Sequence, residues 1–363
     1  MNPVEFLYIH IPFCTHICPY CAFHKHTGKG REMSDFLDAL LKELEWAKTI
    51  CKLKPRTVYF GGGTPSAIGL PLLEKFLARW PFRQVEEFTF ECNPETVSPE
   101  KARMLMQSGV NRVSLGVQSL QEKKLKFLGR KHTREDVFKT TRLLREAGVK
   151  SLNIDLIFGL PGETEESWRN DLEGALELHP DHLSCYSLTI ESKTPFSQDV
   201  SSKKWACDSD HQGTLFLLAS EVLTGAGFHH YEVSNYALPG FESIHNRAYW
   251  QGKDYLGLGA GACSTIGLRR WRNAEDTKAY VESIFTGGSP LHADEPLSHE
   301  IRRKEGLFLA LRTSDGVPWE KIVPWEGQFR DLIEEGLAIK MQNRVVLTRQ
   351  GLAVADTISE LFV

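Results

Sequence analysis

Two rhythms alternate along the first half of the chain. Short runs dense in β-branched and aromatic residues lie at 4–11 (VEFLYIHI), 56–62 (RTVYFGG), 86–92 (EEFTFEC), 111–117 (NRVSLGV), 151–159 (SLNIDLIFG) and 181–190 (DHLSCYSLTI). Each reads as a strand. Between them, apolar residues recur at helical spacing. Leu37, Leu40, Leu41 and Leu44 follow Ser34 at i, i+3, i+4 and i+7 from the first leucine, so Ser34 is the expected cap of a helix. Further helices are expected at 70–79, from Ser98 to Gly109 with Pro99 in the first turn, at 133–148 and at 165–178. Six strands alternating with helices predict a parallel sheet joined by right-handed crossovers.

The run at 153–158 suits a strand covered on both faces. An open doubly wound sheet and a barrel are the two choices. No G-x-G-x-x-G follows the first strand, which counts against a dinucleotide-binding unit. Polar residues recur near strand C-termini: Cys14, residues 61–64, Glu91, Gln118 and Asp155. In a barrel those ends converge on one face, where sites are built, and the barrel is favoured.

After residue 190 the rhythm changes. Residues 192–205 (SKTPFSQDVSSKKW) read as a polar loop, and 210–226 as a helix with Leu215, Leu218 and Val222 on one side. The stretch 228–262 is rich in Gly, aromatics and His, and is expected to extend the sheet and to carry functional loops. Residues 284–298 (IFTGGSPLHADEPLS) read as a linker. Beyond it, a helix at 299–312, the segment EEGLAIKMQNRVVLT and a last helix at 348–361 resemble a small winged-helix-like α+β module. The expected domains are 1–190, 191–290 and 291–363.

The formal charge of −4 gives no support for nonspecific nucleic-acid binding. No apolar run approaches the roughly 20 residues that span a bilayer, and no signal-peptide pattern opens the chain. The expected location is cytoplasmic. Eight cysteines are too sparse for a disulfide-stapled scaffold. Cys51, Cys92, Cys185, Cys207 and Cys263 are expected mostly as small buried hydrophobes.

The other three cysteines form a C-x3-C-x2-C run: Cys14, Cys18 and Cys21. In a reducing compartment such a cluster is more often metal-binding or redox-active than cross-linked. Three thiolates can hold three corners of an iron–sulfur cluster and leave one iron open. A zinc site completed by His16, His24 or His26 is the alternative, weakened by the absence of a second C-x2-C pair. The run Gly61-Gly62-Gly63-Thr64-Pro65 ends a strand, where bare backbone permits a tight turn or the close approach of a ligand. Glu91, Gln118, Arg130 and Asp155 stand at or past strand ends. They are either caps and surface charges or contacts to hydroxyl, amine and carboxylate groups.

Taken in order, C-x3-C-x2-C after YIHIPF, GGGTP, E-x-N-P at 91–94, GVQS at 116–119, LGRKH at 128–132 and DLIFGLPG at 155–162 resemble the radical S-adenosylmethionine (SAM) family. The resemblance is to the branch that holds oxygen-independent coproporphyrinogen III oxidase and its relative, the heme chaperone HemW. It implies an α/β fold, a partial (β/α)6 TIM-like barrel. It implies a [4Fe–4S] cluster on Cys14, Cys18 and Cys21, whose open iron is chelated by SAM. Reduction would cleave SAM to a 5′-deoxyadenosyl radical and methionine. The family pattern matches Tyr8, Gly62, Gly63, Thr64, Glu91, Gln118, Arg130, Asp155 and Ile157 to the SAM site.

Within that branch, the oxidase pattern has a further cysteine two residues after Cys21, where this chain has Phe23, and a longer segment before the first strand. The H-N-x-x-Y-W run at 245–250 is similar to the heme-binding signature of the chaperones. That implies His245 as a heme ligand, with Arg247 available to a propionate. Cys263 stands where relatives usually carry histidine, and it either packs inertly or alters a pocket. The expected function is heme chaperone, with oxidative decarboxylation of coproporphyrinogen III as the alternative. The expected partners are heme, a heme-accepting apo-protein, an electron donor and, through a respiratory-chain acceptor, transient contact with a membrane protein.

Overall fold

The computed structural model describes residues 3–361. Met1, Asn2, Phe362 and Val363, which the outermost domain boundaries include, lie outside the described residues. The first half runs β1 (Val4–Ile11), α1 (Arg31–Ile50), β2 (Leu53–Gly62), α2 (Leu70–Arg79), β3 (Glu87–Cys92), α3 (Pro99–Gln107), β4 (Arg112–Gln118), α4 (Glu122–Phe127), α5 (Arg134–Glu146), β5 (Ser151–Phe158), α6 (Glu165–Leu176) and β6 (His182–Ser187). The chain continues with α7 (Pro195–Ser201), α8 (Ser209–Gly225), β7 (His229–Glu232), β8 (Asn235–Ala237), α9 (Ile244–Trp250), β9 (Tyr255–Leu258), β10 (Cys263–Ile266), β11 (Arg269–Asn273), α10 (Thr277–Phe285) and β12 (Leu291–Pro296). It ends with α11 (His299–Leu311), β13 (Val317–Pro318), α12 (Trp319–Ile322), α13 (Glu326–Glu334), β14 (Ala338–Met341), β15 (Arg344–Leu347), α14 (Arg349–Ala353) and α15 (Ala355–Glu360).

These elements form two units that interleave in sequence, and residues 191–290 are divided between them. The first unit holds Met1–Ile154, Ile190–Ser202 and Asp254–Leu297. Its strands lie in the order β12-β11-β10-β9-β1-β2-β3-β4-β5, with β5 contributing its first half. Strands β9, β1, β2, β3 and β4 pair in parallel, and β10 to β12 add an antiparallel flank. From β1 onward, spatial order follows sequence order. A doubly wound sheet reverses at a switch point; a barrel does not. Phe60 shows how the interior fills: its ring stacks on Phe88 and Phe90 at 5.6 Å each and meets Trp80 edge-on at 5.1 Å.

The second unit holds Asp155–Thr189, Lys203–Lys253 and Ser298–Val363. There β6 is flanked by β8, which runs antiparallel to it and to β7. The α/β fold is a partial barrel, with this antiparallel pair after β6 in place of further parallel strands. A separate three-stranded antiparallel sheet, β13-β15-β14, forms the winged-helix-like module with α11 to α15.

Local chemistry accounts for most element ends. Ser98 caps α3 by accepting from Lys101 N, with Pro99 in the first turn. Thr133 and Asp136 form a reciprocal capping box at α5. Ser34, by contrast, is not a cap. It lies inside α1, which starts at Arg31 because the buried face begins at Met33 and Phe36, ahead of the leucines.

The supposed polar loop at 192–205 contains α7, capped by Thr194 and anchored by buried Phe196. The second half of the supposed linker holds β12, paired with β11. Its residues are largely exposed, so it carries no apolar signal. Residues 245–250 lie on a helix, α9, instead of a loop. Cys51, Cys92 and Cys185 are buried as expected; Cys207 and Cys263 are half-buried.

Glu43 in the first unit and Glu232 in the second are buried carboxylates held by hydrogen bonds. Glu43 of α1 accepts from Gly259 N (2.7 Å), Asn273 Nδ2 (2.6 Å) and the Tyr280 hydroxyl (2.5 Å), tying α1 to the β9–β10 turn, β11 and α10. Glu232 accepts from Ser234 N (3.1 Å) and from Asn235 Nδ2. Burial pushes both carboxyls up to about 7.

Candidate cluster and cofactor site

The loop after β1 is pinned at both ends. Cys14 N donates to His26 O (3.0 Å) and His26 N to Pro12 O (2.8 Å), so Phe13 and His26 form an isolated bridge. Its outer edge is tied to the end of β2, where Gly63 N donates to Ile11 O and Thr64 N to Phe13 O, both at 2.8 Å. Between the pins stand the three thiols, Cys18 buried and Cys14 and Cys21 half-buried.

A hydrogen-bonded chain joins the first two thiols. Thr64 Oγ1 donates to Cys14 Sγ at 3.5 Å and accepts from Asn93 Nδ2 at 3.3 Å. Asn93 Oδ1 accepts from Arg130 Nη2 at 2.7 Å, and Arg130 Nη1 points at Cys18 Sγ at 3.7 Å. Arg130 Nη2 also donates to Gly116 O at 2.6 Å. The guanidinium is thus no solvated surface charge: it holds the end of β4, the 91–94 turn and a cysteine together.

Burial opposes ionisation of Cys18, but His16 (3.7 Å) and Arg130 outweigh it, and its thiol is drawn below the usual range. Burial pushes Cys14 up to about 11 and raises Cys21, whose carbonyl accepts from Lys25 Nζ.

The glycine run has a local cause. Gly62 has φ +107°, and a Cβ there would stand 2.5 Å from the His10 ring. A Cβ on Gly63 would stand 2.8 Å from Phe13 O. Close packing against β1 and its loop therefore requires bare backbone here. His10 Nε2 donates to His24 O (2.8 Å), leaving Nδ1 to accept from the Tyr8 hydroxyl (3.1 Å). Burial lowers this imidazole to about 4, so it is neutral near pH 7. Glu91 accepts from the Tyr59 hydroxyl (2.8 Å) and from Gly62 N (3.2 Å).

The residues present fit a three-cysteine cluster and a polar cofactor beside it. Among the described residues, no three His, Cys, Asp or Glu side chains are gathered about a single-metal position. An iron–sulfur cluster takes each thiolate at a separate iron. Gln118 closes β4 at φ +68°, a conformation that non-glycine residues rarely hold. Gln118 Oε1 and Arg130 Nε are buried without a hydrogen-bond partner among the described residues, a state that calls for an external partner.

Tyr8, Gly62, Gly63, Thr64, Glu91, Gln118 and Arg130 all belong to the first unit with the cysteines. Asp155 and Ile157 stand on the half of β5 that belongs to the second, Asp155 half-buried and Ile157 6% exposed.

Over nearly its whole length, this chain is similar to known proteins. The Radical SAM superfamily description matches residues 8–174. The heme chaperone HemW of Bacillus subtilis is 35% identical over 98% of this chain and 98% of its own. The chain belongs to the HemW family of radical SAM proteins. HemW of Escherichia coli is 34% identical over 98% of this chain and 97% of its own. The solved coproporphyrinogen III oxidase HemN of E. coli, a radical SAM enzyme, matches with a TM-score of 0.82 at 25% identity, covering 99% of this chain and 90% of that one.

Three further residues marked by the sequence have partners of their own. His245 is 1% exposed, and its Nε2 faces the Tyr249 hydroxyl at 3.2 Å. Residues i and i+4 on α9 share a face, so the imidazole packs inside instead of standing open to a ligand. Arg247 is engaged by Asp315 at 3.0 Å. Cys263 is half-buried and accepts from Arg272 Nε at 3.3 Å. Two residues escaped the sequence reading: Asn93, whose amide bridges Thr64 and Arg130, and His10. The E-x-N-P motif contained Asn93, but nothing in its spacing showed which way the amide turns.

Proposed function

We propose that this chain is a cytoplasmic heme chaperone that holds a [4Fe–4S] cluster, binds SAM and heme, and passes heme to an acceptor apo-protein. Cys14, Cys18 and Cys21 would hold the cluster. Tyr8, Gly62, Gly63, Thr64, Glu91, Gln118, Arg130, Asp155 and Ile157 would line the SAM site. When bound, the cluster supplies a one-electron reductant. The protein's own part is to keep the thiol loop pinned, to draw Cys18 toward thiolate through Arg130 and His16, and to set donors and acceptors at the ends of β2, β3 and β4.

The observation that carries this reading is the full-length likeness to heme chaperones at 35% identity, against 25% to the oxidase. Phe23 supports it. The oxidase pattern places cysteine there, and this phenylalanine is 69% exposed with no role in the core. The second reading is the oxidase itself, favoured by the closeness of the fold.

One experiment separates them. The anaerobically reconstituted chain is offered hemin and coproporphyrinogen III in parallel. Stable hemin absorbance without protoporphyrinogen formation is expected. Sustained decarboxylation with SAM consumption would overturn the chaperone reading, as would zinc without iron in the reconstituted chain.

A further inference from the structure

Two stretches of the first unit hold no carboxylate, in a chain whose formal charge is −4. Residues 6–31 carry Lys25, Lys29 and Arg31, and residues 123–134, bounded by Glu122 and Glu135, carry six lysines and arginines. The structure brings both stretches to the thiols. Arg130 Nη1 points at Cys18 Sγ at 3.7 Å, and a Cβ on Gly129 would stand 2.7 Å from Pro19 Cδ, so the end of α4 lies flat on the cysteine loop. Helix α7 braces the same side. Phe196 N donates to Pro19 O at 3.2 Å, and the Phe196 ring stands 4.9 Å from Phe127 and 6.4 Å from Tyr20. The carboxylates just beyond the first stretch are engaged, Glu32 by His26 (2.9 Å) and Asp35 by Arg31 (3.5 Å).

The loop also exposes apolar side chains. Ile17 is 45% exposed and Phe23 69% exposed. Ile17 directly precedes Cys18, and Phe23 follows Cys21 by two residues, so a partner seated on them lies close to the thiols. Lys123 and Lys126, both exposed, stand at i and i+3 on one face of α4. Lys131 is exposed next to Arg130. Apolar contacts framed by charged groups are the core and rim of a protein interface. With lysines at the rim, the face repels a basic partner and draws an acidic one, an attraction that acts chiefly on the rate of encounter.

We propose that this face docks the electron donor, an acidic protein whose flavin or iron–sulfur group gives up one electron at a time. Ile17 and Phe23 form the centre of the contact, and Lys123 and Lys126 its rim. The proposal rests on the cluster reading and names where the electron enters. In the transfer the carrier is oxidised by one electron and the cluster on Cys14, Cys18 and Cys21 is reduced by one; no covalent bond forms or breaks. The contact is small, as redox encounters are, below about 1,200 Å².

The test uses the anaerobically reconstituted chain. Reduced flavodoxin and reduced ferredoxin are the carriers, and dithionite is a reductant that needs no docking face. Carrier binding is read by calorimetry, and cluster reduction by stopped-flow bleaching of its absorbance. Lys123→Glu/Lys126→Glu and Ile17→Ser/Phe23→Ser are each expected to weaken carrier binding and to slow carrier-driven bleaching by about tenfold or more. Glutamate is as good a helix former as lysine, so α4 keeps its fold. Added salt should slow the parent's reaction with the carrier, and the charge-reversed chain should lose most of that dependence. Dithionite should bleach all three chains at one rate.

Carrier-driven bleaching as fast in both variants as in the parent would overturn the docking face. So would a parent chain that dithionite reduces and neither carrier does. Slowing by dithionite to the same degree as by the carriers would assign these residues to the integrity of the cluster and overturn the face as well. Vesicles of anionic phospholipid that bind the parent while neither carrier does would mark it instead as a membrane contact. A parent chain that takes up no iron would remove the cluster reading and the proposal with it.

Discussion

The cysteine loop and helix α9 each carry a motif that the sequence marks for chemistry, and the structure treats them in opposite ways. In the loop, two of the three thiols stay partly accessible, and residues far apart in sequence converge on the loop through Thr64, Asn93 and Arg130. On α9, the histidine turns inward to its own helix neighbour, Tyr249. The difference follows from secondary structure. A loop pinned only at its ends cannot bury its side chains against itself, so polar groups there are kept for partners. A short amphipathic helix must bury one face, and a histidine on that face becomes part of the packing. A motif on a loop therefore declares its chemistry more directly than the same kind of motif on a helix.

The largest expected effect tests the loop. Replacing Cys14, Cys18 or Cys21 by alanine should abolish iron and sulfide uptake in anaerobic reconstitution. Hemin affinity should stay within about twofold, because no thiol of the loop is a proposed heme ligand. Loss of hemin binding in the same variants would erase the contrast between the two regions.

The next effect concerns the buried carboxylates. Glu43 in the folded chain titrates at about 7, above its ordinary 4.5. The unfolded chain releases that proton first, so the contribution to stability is complete below pH 4.5 and is lost as pH rises through 7. The difference amounts to about 3 kcal/mol. In Glu43→Gln, urea midpoints should lack this fall, and Glu232→Gln should remove a similar slope from the other unit. An unchanged pH profile in either variant would refute the assignment for that unit.

A smaller effect sharpens the comparison directly. Asn93→Ala removes the amide between Thr64 and Arg130 and should cost about 1–3 kcal/mol. It should also speed iron loss to a chelator and alter the electron paramagnetic signal of the reduced cluster. Tyr249→Phe removes the hydroxyl that faces His245 Nε2 and should cost about 1 kcal/mol, with no change in either iron readout. Equal effects on the cluster from both variants would mean that the Asn93 chain does not position the thiols.

The smallest effect is at Phe23. Its exposed side chain predicts a stability change within about 0.5 kcal/mol for Phe23→Cys. The variant should gain no decarboxylase activity, since one thiol does not rebuild a substrate site. Measurable turnover would show that the two branches differ at that residue alone.

Much of this was legible in the sequence because it depends on local spacing. The alternation of apolar runs and helical faces marked β1 to β6 and α1 to α3, α5 and α6, and Ser98, Pro99 and Thr133 marked two helix starts. The C-x3-C-x2-C spacing named the candidate ligands. Elements that bury little escaped: β12 is a mostly exposed edge strand, and α7 hides one phenylalanine in a polar run.

By itself, the sequence determined the order of elements, the parallel arrangement and the three thiols, since hydrophobic periodicity and ligand spacing act over a few residues. Only the tertiary structure decided that Arg130 belongs to the thiol site, that Gly62 yields to His10 and that His245 is buried. Those outcomes depend on which side chains from distant segments meet and compete for the same space and the same hydrogen bonds, and no spacing along the chain records that.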